Sequence, residues 1–350
     1  MKHNLWTQSV LLLLLAACTT TSSTPDAGQP PVATWHAALE GEAVGGALLS
    51  VWGASPTDVW AVGGTLGNGG ENVVLRYDGT RLTRVSPGGT HTWWWVAGSA
   101  ANNVWMVGES GHATRWDGSA FVAHDVPLNV TLWGVWTDAA DNVWVVGGTP
   151  GGGAGRPNDV VFHWDGSAWT QETLPGTPRN ASLFKVWGTS SSNLYAVGEF
   201  GTIWHREGTT WTLESATYVP PLATGTLFTV WGCDAANVFA VGGSAILHRT
   251  AAGWAKTNAT MAGGANGVTC ANNVVQVVGF GGLKVRGEGE TWTDQSFGVP
   301  FGDMHATWAD GAGNVWAVGG DWLSPARNGV VRDGLLARYS VTPPPTSISP

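Results

Sequence analysis

The stretch Val51-Trp52-Gly53-Ala54-Ser55-Pro56-Thr57-Asp58-Val59-Trp60-Ala61-Val62-Gly63 returns in variant form six more times along the chain. With Val59 as the mark, the copies stand at Val104, Val143, Leu194, Val238, Val274 and Val315, most of them after an Asn and before an aromatic residue. A period of about forty residues means propellers or solenoids, whose units bury their apolar faces only against their neighbours. Although 350 residues could hold two domains by length, a repeat filling most of the chain argues for one continuous architecture.

Each unit parses into four short strands. Strand A is the VWG run, with copies starting near Val51, Val96, Val135, Val186, Val230, Val268 and Thr307. Strand B is the NVWAVG type of run. Strand C ends in sequences such as Arg76-Tyr77-Asp78-Gly79, whose Asp-Gly is a two-residue hairpin signal. Strand D opens with an aromatic residue, as in Trp169, Trp211, Trp254 and Trp292. Strands A and B are nearly continuously apolar, so both of their faces are covered. With 51 Gly, 23 Trp and only 12% charged residues, the chain reads as all-β. Seven four-stranded antiparallel units predict a seven-bladed β-propeller, whose radial closure leaves few open sheet edges.

The chain ends test closure. An Arg or His on strand C precedes the first large hydrophobic residue of strand D by six positions in Arg76/Leu82, Arg115/Phe121, His163/Trp169, His205/Trp211, His248/Trp254 and Arg286/Trp292. The seventh unit has Arg338 with no such partner after it. The missing strand stands at the other end, in Ala33-Thr34-Trp35-His36-Ala37-Ala38-Leu39, so the last blade is expected to be sewn from both termini.

Before the repeats, Lys2 and an apolar run from Val10 to Ala17 lead to Cys18, a run too short to span a bilayer and suited to export. Leu15-Ala16-Ala17-Cys18 resembles a bacterial lipobox, which implies cleavage before Cys18, acylation of that residue with chains such as palmitate, and anchorage to a membrane. An ordinary signal peptide is the other reading. The expected divisions are a signal peptide (1–17), a flexible tether (18–32), the propeller (33–341) and a C-terminal tail (342–350). In an exported chain Cys233 and Cys270 could pair between units five and six; two separate thiols remain equally open.

Antiparallel strands put the A–B and C–D turns on one face of the disc and the B–C and D–A connections on the other. The second set carries the length variation, at Gly63–Asn72, Gly147–Asp159, Gln171–Ser182, Glu214–Thr226 and Gly320–Gly329, and variable loops on a rigid scaffold are where binding resides. The repeated tryptophans, such as Trp52, Trp60, Trp136 and Trp144, read as packing between blades. Trp93-Trp94-Trp95, Tyr218 and Trp322 have no counterparts in the repeat and are the candidate ligand-binding residues.

No catalytic, cofactor-binding or metal site is nominated. His163, His205 and His248 belong to different blades, and stacking on a strand D aromatic is their expected role. Asp310–Asn314 and Asp138–Asn142 lack the carboxylate density of calcium loops. Gly147–Arg156 is glycine-rich but lacks the Lys-Ser/Thr end of a phosphate loop. Asp and Glu occur singly, so no pair suits glycoside hydrolysis. A net charge of −9 argues against nucleic-acid binding.

The unit Ala196-Val197-Gly198-Glu199-Phe200-Gly201-Thr202-Ile203-Trp204-His205 followed by Gly208-Thr209-Thr210-Trp211 resembles the repeats of BNR-type and photosystem assembly factor-like seven-bladed propellers. The whole is similar to bacterial Trp-rich propeller lipoproteins whose units read VWG…DVWAVG, and more distantly to tectonin-type lectins. The resemblance spans about Ala33 to Val341. Turns such as Asp165-Gly166-Ser167-Ala168-Trp169 keep the Gly and Trp of sialidase boxes but lack the preceding Ser-x. The expectation is a lipoprotein of the bacterial cell envelope, at the outer membrane or cell surface. It binds a protein or glycan partner on its variable-loop face and has no catalytic role; the alternative is a carbohydrate-active hydrolase or lyase working at the channel mouth.

Overall fold

The computed structural model describes residues 31–66, 71–151, 155–176, 179–323 and 332–349. Cys18 and most of the expected tether lie outside them, as does part of the glycine run 147–156. The compact unit Ala33–Pro350 holds all the strands described.

Seven antiparallel sheets form seven blades. Their first strands, Ala47–Ser55, Trp93–Ala100, Leu132–Ala139, Leu183–Ser190, Thr229–Asp234, Ala265–Ala271 and Met304–Ala309, each touch the first strand of both neighbouring blades, so strand A lines the central axis. The last blade runs Met304–Ala309, Val315–Gly320, Gly334–Ser340 and then Thr34–Gly41, with Trp35 opposite Tyr339 and His36 opposite Arg338. The ring is therefore closed by hydrogen bonds between the chain ends.

Two layers of aromatic packing explain the repeat. Near the axis, a Cβ added to Gly53 would lie 2.5 Å from the Trp308 ring, one on Gly98 would lie 2.7 Å from Trp52, and one on Gly232 would lie 2.1 Å from Trp187. The Trp of one VWG run thus rests on the Gly of the next blade, which needs that position bare. Further out, the strand B aromatic of blades one to five meets a strand D ring of the following blade: Trp60 with Phe121, Trp105 with Trp169, Trp144 with Trp211, Tyr195 with Trp254 and Phe239 with Trp292, all at 5.9–6.4 Å and steeply inclined. Such edge-to-face pairs add to the area they bury.

The strand C Arg and His side chains stack on strand B, not on the strand D aromatic expected from the sequence. His163 lies on Trp144, His205 on Tyr195 and His248 on Phe239, with centroids 4.2–4.3 Å apart. Arg76 lies 4.8 Å from the Trp60 ring centre and Arg338 5.0 Å from that of Trp316. The reason is register: these pairs are direct cross-strand neighbours, whereas Leu82 pairs with the residue after the cation, Tyr77. The Asn or Asp before strand B serves the same layer. Asn142 Oδ1 accepts from Trp144 Nε1 (3.1 Å) and binds His163 Nε2 (2.9 Å), and Asp58 accepts from Arg76 Nε at 2.8 Å. It clasps strands B and C.

Blade six departs from the pattern. Its A–B turn is Asn272-Asn273, both residues at positive φ as a two-residue hairpin wants, so Ala271 faces Val274 without the bulge that precedes the turn in most other blades. That shortening puts Val275 in the place of Val59, and Gln276 in the place of the aromatic, opposite Arg286. Cys233 and Cys270 are joined by a disulfide across blades five and six, with Cα atoms 4.9 Å apart. The C-terminal tail, expected to stand free of the fold, lays Ile348–Ser349 parallel to Leu82–Thr83 and gives blade one a fifth strand. An open strand D edge offers the unpaired backbone groups that make this possible.

Candidate functional site

Strand A starts with the same irregularity in most blades. Early in the ladder one residue is skipped, and the skipped residues are Leu49, Trp94, Trp133, Phe184, Asn266 and His305. In blade five Phe228 holds this place just ahead of the strand, donating its N–H to the Val241 carbonyl at 2.7 Å. A β-bulge re-aims a side chain out of the regular alternation. Here it brings rings of successive blades together at the end of the channel that bears the B–C and D–A connections.

The rings form a closed circuit. Trp94 meets Trp133 at 4.5 Å, Trp133 meets Phe184 at 5.6 Å, and Phe184 meets Phe228 at 6.0 Å. Phe228 meets Phe280 at 6.4 Å, and Phe280 meets Trp322 at 5.8 Å. His305 completes the collar, 5.3 Å from Trp322 and 6.1 Å from Trp94. Phe280 and Trp322 come from B–C connections. Six of these seven residues are half-buried, with His305 more enclosed. Phe301 and Leu323, on the same face, are 61% and 65% exposed, which extends the apolar surface outward.

Beneath the collar sits a buried cation. Lys185, one residue along from Phe184, is 3% exposed. Its Nζ donates to the Trp133 carbonyl at 2.8 Å and lies 4.1 Å from the centre of the Trp95 ring. Burial pulls its pKa down to about 7. His305 is pushed to about 3, first by burial and then by the charge of Lys185. Its Nδ1 lies 2.5 Å from the Leu49 carbonyl, so that nitrogen carries the proton and Nε2 is left as an acceptor.

The five residues singled out from the sequence part company. Trp94 and Trp322 stand in the collar. Trp93 and Trp95 are core, 2% and 5% exposed, because the bulge at Trp94 turns their rings into the blade. Tyr218 lies in the Glu214–Thr226 connection, where its hydroxyl accepts the Trp254 N–H at 2.6 Å. Sequence reasoning missed Trp133, Phe184, Phe228, Phe280, His305 and Lys185. A signal was available: Trp94, Trp133, Phe184 and Phe228 each stand two residues before the strand A valine of four successive units.

Among the described residues no three His, Cys, Asp or Glu side chains converge as metal ligands. The Asp310 carboxylate is occupied by its own turn, accepting from Ala312 N, Asn314 N and Asn314 Nδ2, and Asn142 Nδ2 takes Asp138 in the same way.

Blades, closure and collar together define a seven-bladed β-propeller that presents an aromatic channel mouth. No family model matches the sequence, and no curated protein matches it. Solved structures share the fold. YCF48 from Cyanidioschyzon merolae superposes with a TM-score of 0.61 at 14% identity, over 88% of this chain and 98% of that one. The WD40 propeller domain of Doa1 gives 0.62 at 10% identity, over 87% and 96%. The RRP9 WD40 repeats give 0.64 at 9%, over 89% and 99%. Likenesses at these identities concern architecture.

Proposed function

We propose that this chain is a cell-envelope lipoprotein, anchored through Cys18, which acts as a non-catalytic binding or scaffold module and holds a protein or glycan partner on its variable-loop face. The collar carries the reading: seven rings in mutual contact at a channel mouth, most of them half-exposed, form a rigid apolar platform. The lipobox-like Leu15-Ala16-Ala17-Cys18 supports the anchor. A hydrolase or lyase at the same mouth would want paired carboxylates. Lys185 and His305 are basic, and the nearby carboxylates of Glu109 and Asp303 are taken up by the backbone N–H groups of Thr92 and Gly281.

The test is capture of envelope polysaccharides and envelope proteins by the wild-type chain and by Trp94→Ala and Trp322→Ala. Capture lost in both variants at unchanged thermal stability supports the collar, and capture retained in both refutes it. Release of a Cys18→Ala variant from the membrane fraction checks the anchor.

A further inference from the structure

A second feature of the variable-loop face lies away from the collar, between blades four and five. There the B–C turn Glu199–Gly201, the connection Glu214–Thr226 and Arg179 enclose a cavity of about 180 Å³. A cavity of about 150 Å³ takes up a benzene, so this one holds a single six-membered ring.

Phe200 is the informative residue. It occupies the left-handed region, φ 58°, at a turn position where blade two has Ser110 and blade six Gly281. A bulky side chain is strained in that conformation, and Phe200 recovers little by packing, since it is 56% exposed. Backbone strain is here spent on presenting a ring at the lip of a cavity.

The polar groups around the cavity are donors. Ser215 Oγ accepts the Ile203 N–H at 3.2 Å and Tyr218 Oη accepts the Trp254 N–H, which leaves both hydroxyl protons to donate elsewhere. Arg179 donates from Nη2 to the Phe200 carbonyl at 3.2 Å, while its Nε is enclosed with no acceptor. Asp159 is close enough to feel Arg179, but its Oδ2 accepts the Asn180 N–H, and no carboxylate lines the cavity itself. Donors without acceptors around one aromatic face call for a ligand rich in acceptors and negatively charged.

We propose that this cavity is a subsite for one pyranose ring bearing a carboxylate, a uronate-type sugar residue. The ring face lies on Phe200, the carboxylate on Arg179, and ring oxygens on the Ser215 and Tyr218 hydroxyls. The assignment rests on the reading of the variable-loop face as the binding face and narrows its partner to an acidic glycan.

Titration calorimetry of the full chain with methyl glucuronide, methyl glucoside and benzoate tests it. Methyl glucuronide is expected to bind with a Kd on the order of 1 mM, about tenfold or more tighter than the glucoside. Phe200→Gly should weaken that binding about tenfold while raising Tm, because it relieves the turn; a merely structural Phe200 would lower Tm instead. Arg179→Gln should abolish the preference for the charged sugar. The cavity shares no lining residue with the collar, so failure of the collar reading would spare the glucuronide signal. The subsite is overturned by equal binding of glucoside and glucuronide, by no detectable glucuronide binding, by benzoate binding as well as glucuronide, or by unaltered affinity in Phe200→Gly.

Discussion

The Lys185 ammonium rests 4.1 Å from the centre of the Trp95 ring, in the interior of the ring of blades, with no carboxylate paired to it among the described ion pairs. Its folded pKa of about 7 lies below the ordinary lysine value of 10.5. Between those values the unfolded chain binds a proton that the folded chain does not, so stability rises with pH there, by at most about 1.4 kcal/mol per pH unit. Urea denaturation from pH 6 to 10 should show this slope in the wild type. Lys185→Met should flatten it and be neutral or stabilising at pH 7, since an apolar side chain of similar volume replaces a buried charge.

Glu214 gives the opposite dependence. Burial opposes its charge, but His205, Arg249 and Trp254 all hydrogen-bond the carboxylate, at 2.7–3.2 Å, and hold its pKa down to about 2. Its contribution is present above the ordinary glutamate value of 4.5 and is lost as pH falls towards 2. Glu214→Gln should cost about 2 kcal/mol at neutral pH and shrink the acid limb of the stability profile, read by thermal unfolding from pH 7 to 2.

Joining Cys233 to Cys270 closes a loop with a sequence separation of 37. On the chain-entropy account a loop of that length is worth about 4 kcal/mol. Reductant, or replacement of both cysteines by serine, should lower Tm accordingly, and an unchanged Tm would remove the bond from the stability account.

Gly232→Ala should be destabilising by about 1–3 kcal/mol, because the new Cβ would stand 2.1 Å from the Trp187 ring. Gly176→Ala, whose Cβ would meet nothing within 4 Å, controls for crowding but not for its positive φ of 84°. Gly298→Ala, open and without positive φ, controls for both. Chemical denaturation of the three separates the effects.

The three consecutive tryptophans make a further test. Trp93→Ala removes a buried ring and should cost about 3–5 kcal/mol. Trp94→Ala, half-exposed in the collar, should cost nearer 1 kcal/mol while abolishing partner capture. Equal stability losses would mean that both rings are core.

Much of this fold is legible along the chain. The VWG period, the apolar strands A and B, the Asp-Gly turns and the strand missing after Arg338 determine seven blades closed by Trp35 and its neighbours, because each depends on local pattern and on counting. What the tertiary structure decided depends on bulges, register and chain ends. The residue skipped at the start of strand A gathers Trp94, Trp133 and Phe184 into a collar with Phe228 and turns Trp93 and Trp95 inward, and it places Lys185 beneath them. A turn shortened by one residue moves Gln276 into an aromatic's place. Cross-strand register, set by hydrogen bonds between strands, puts His163 on Trp144 and not on a strand D ring. The physical reason is common to all three: side-chain direction in a sheet reverses with every residue, so a one-residue shift that hardly alters the sequence pattern decides which ring faces the channel, which faces the next blade and which faces water.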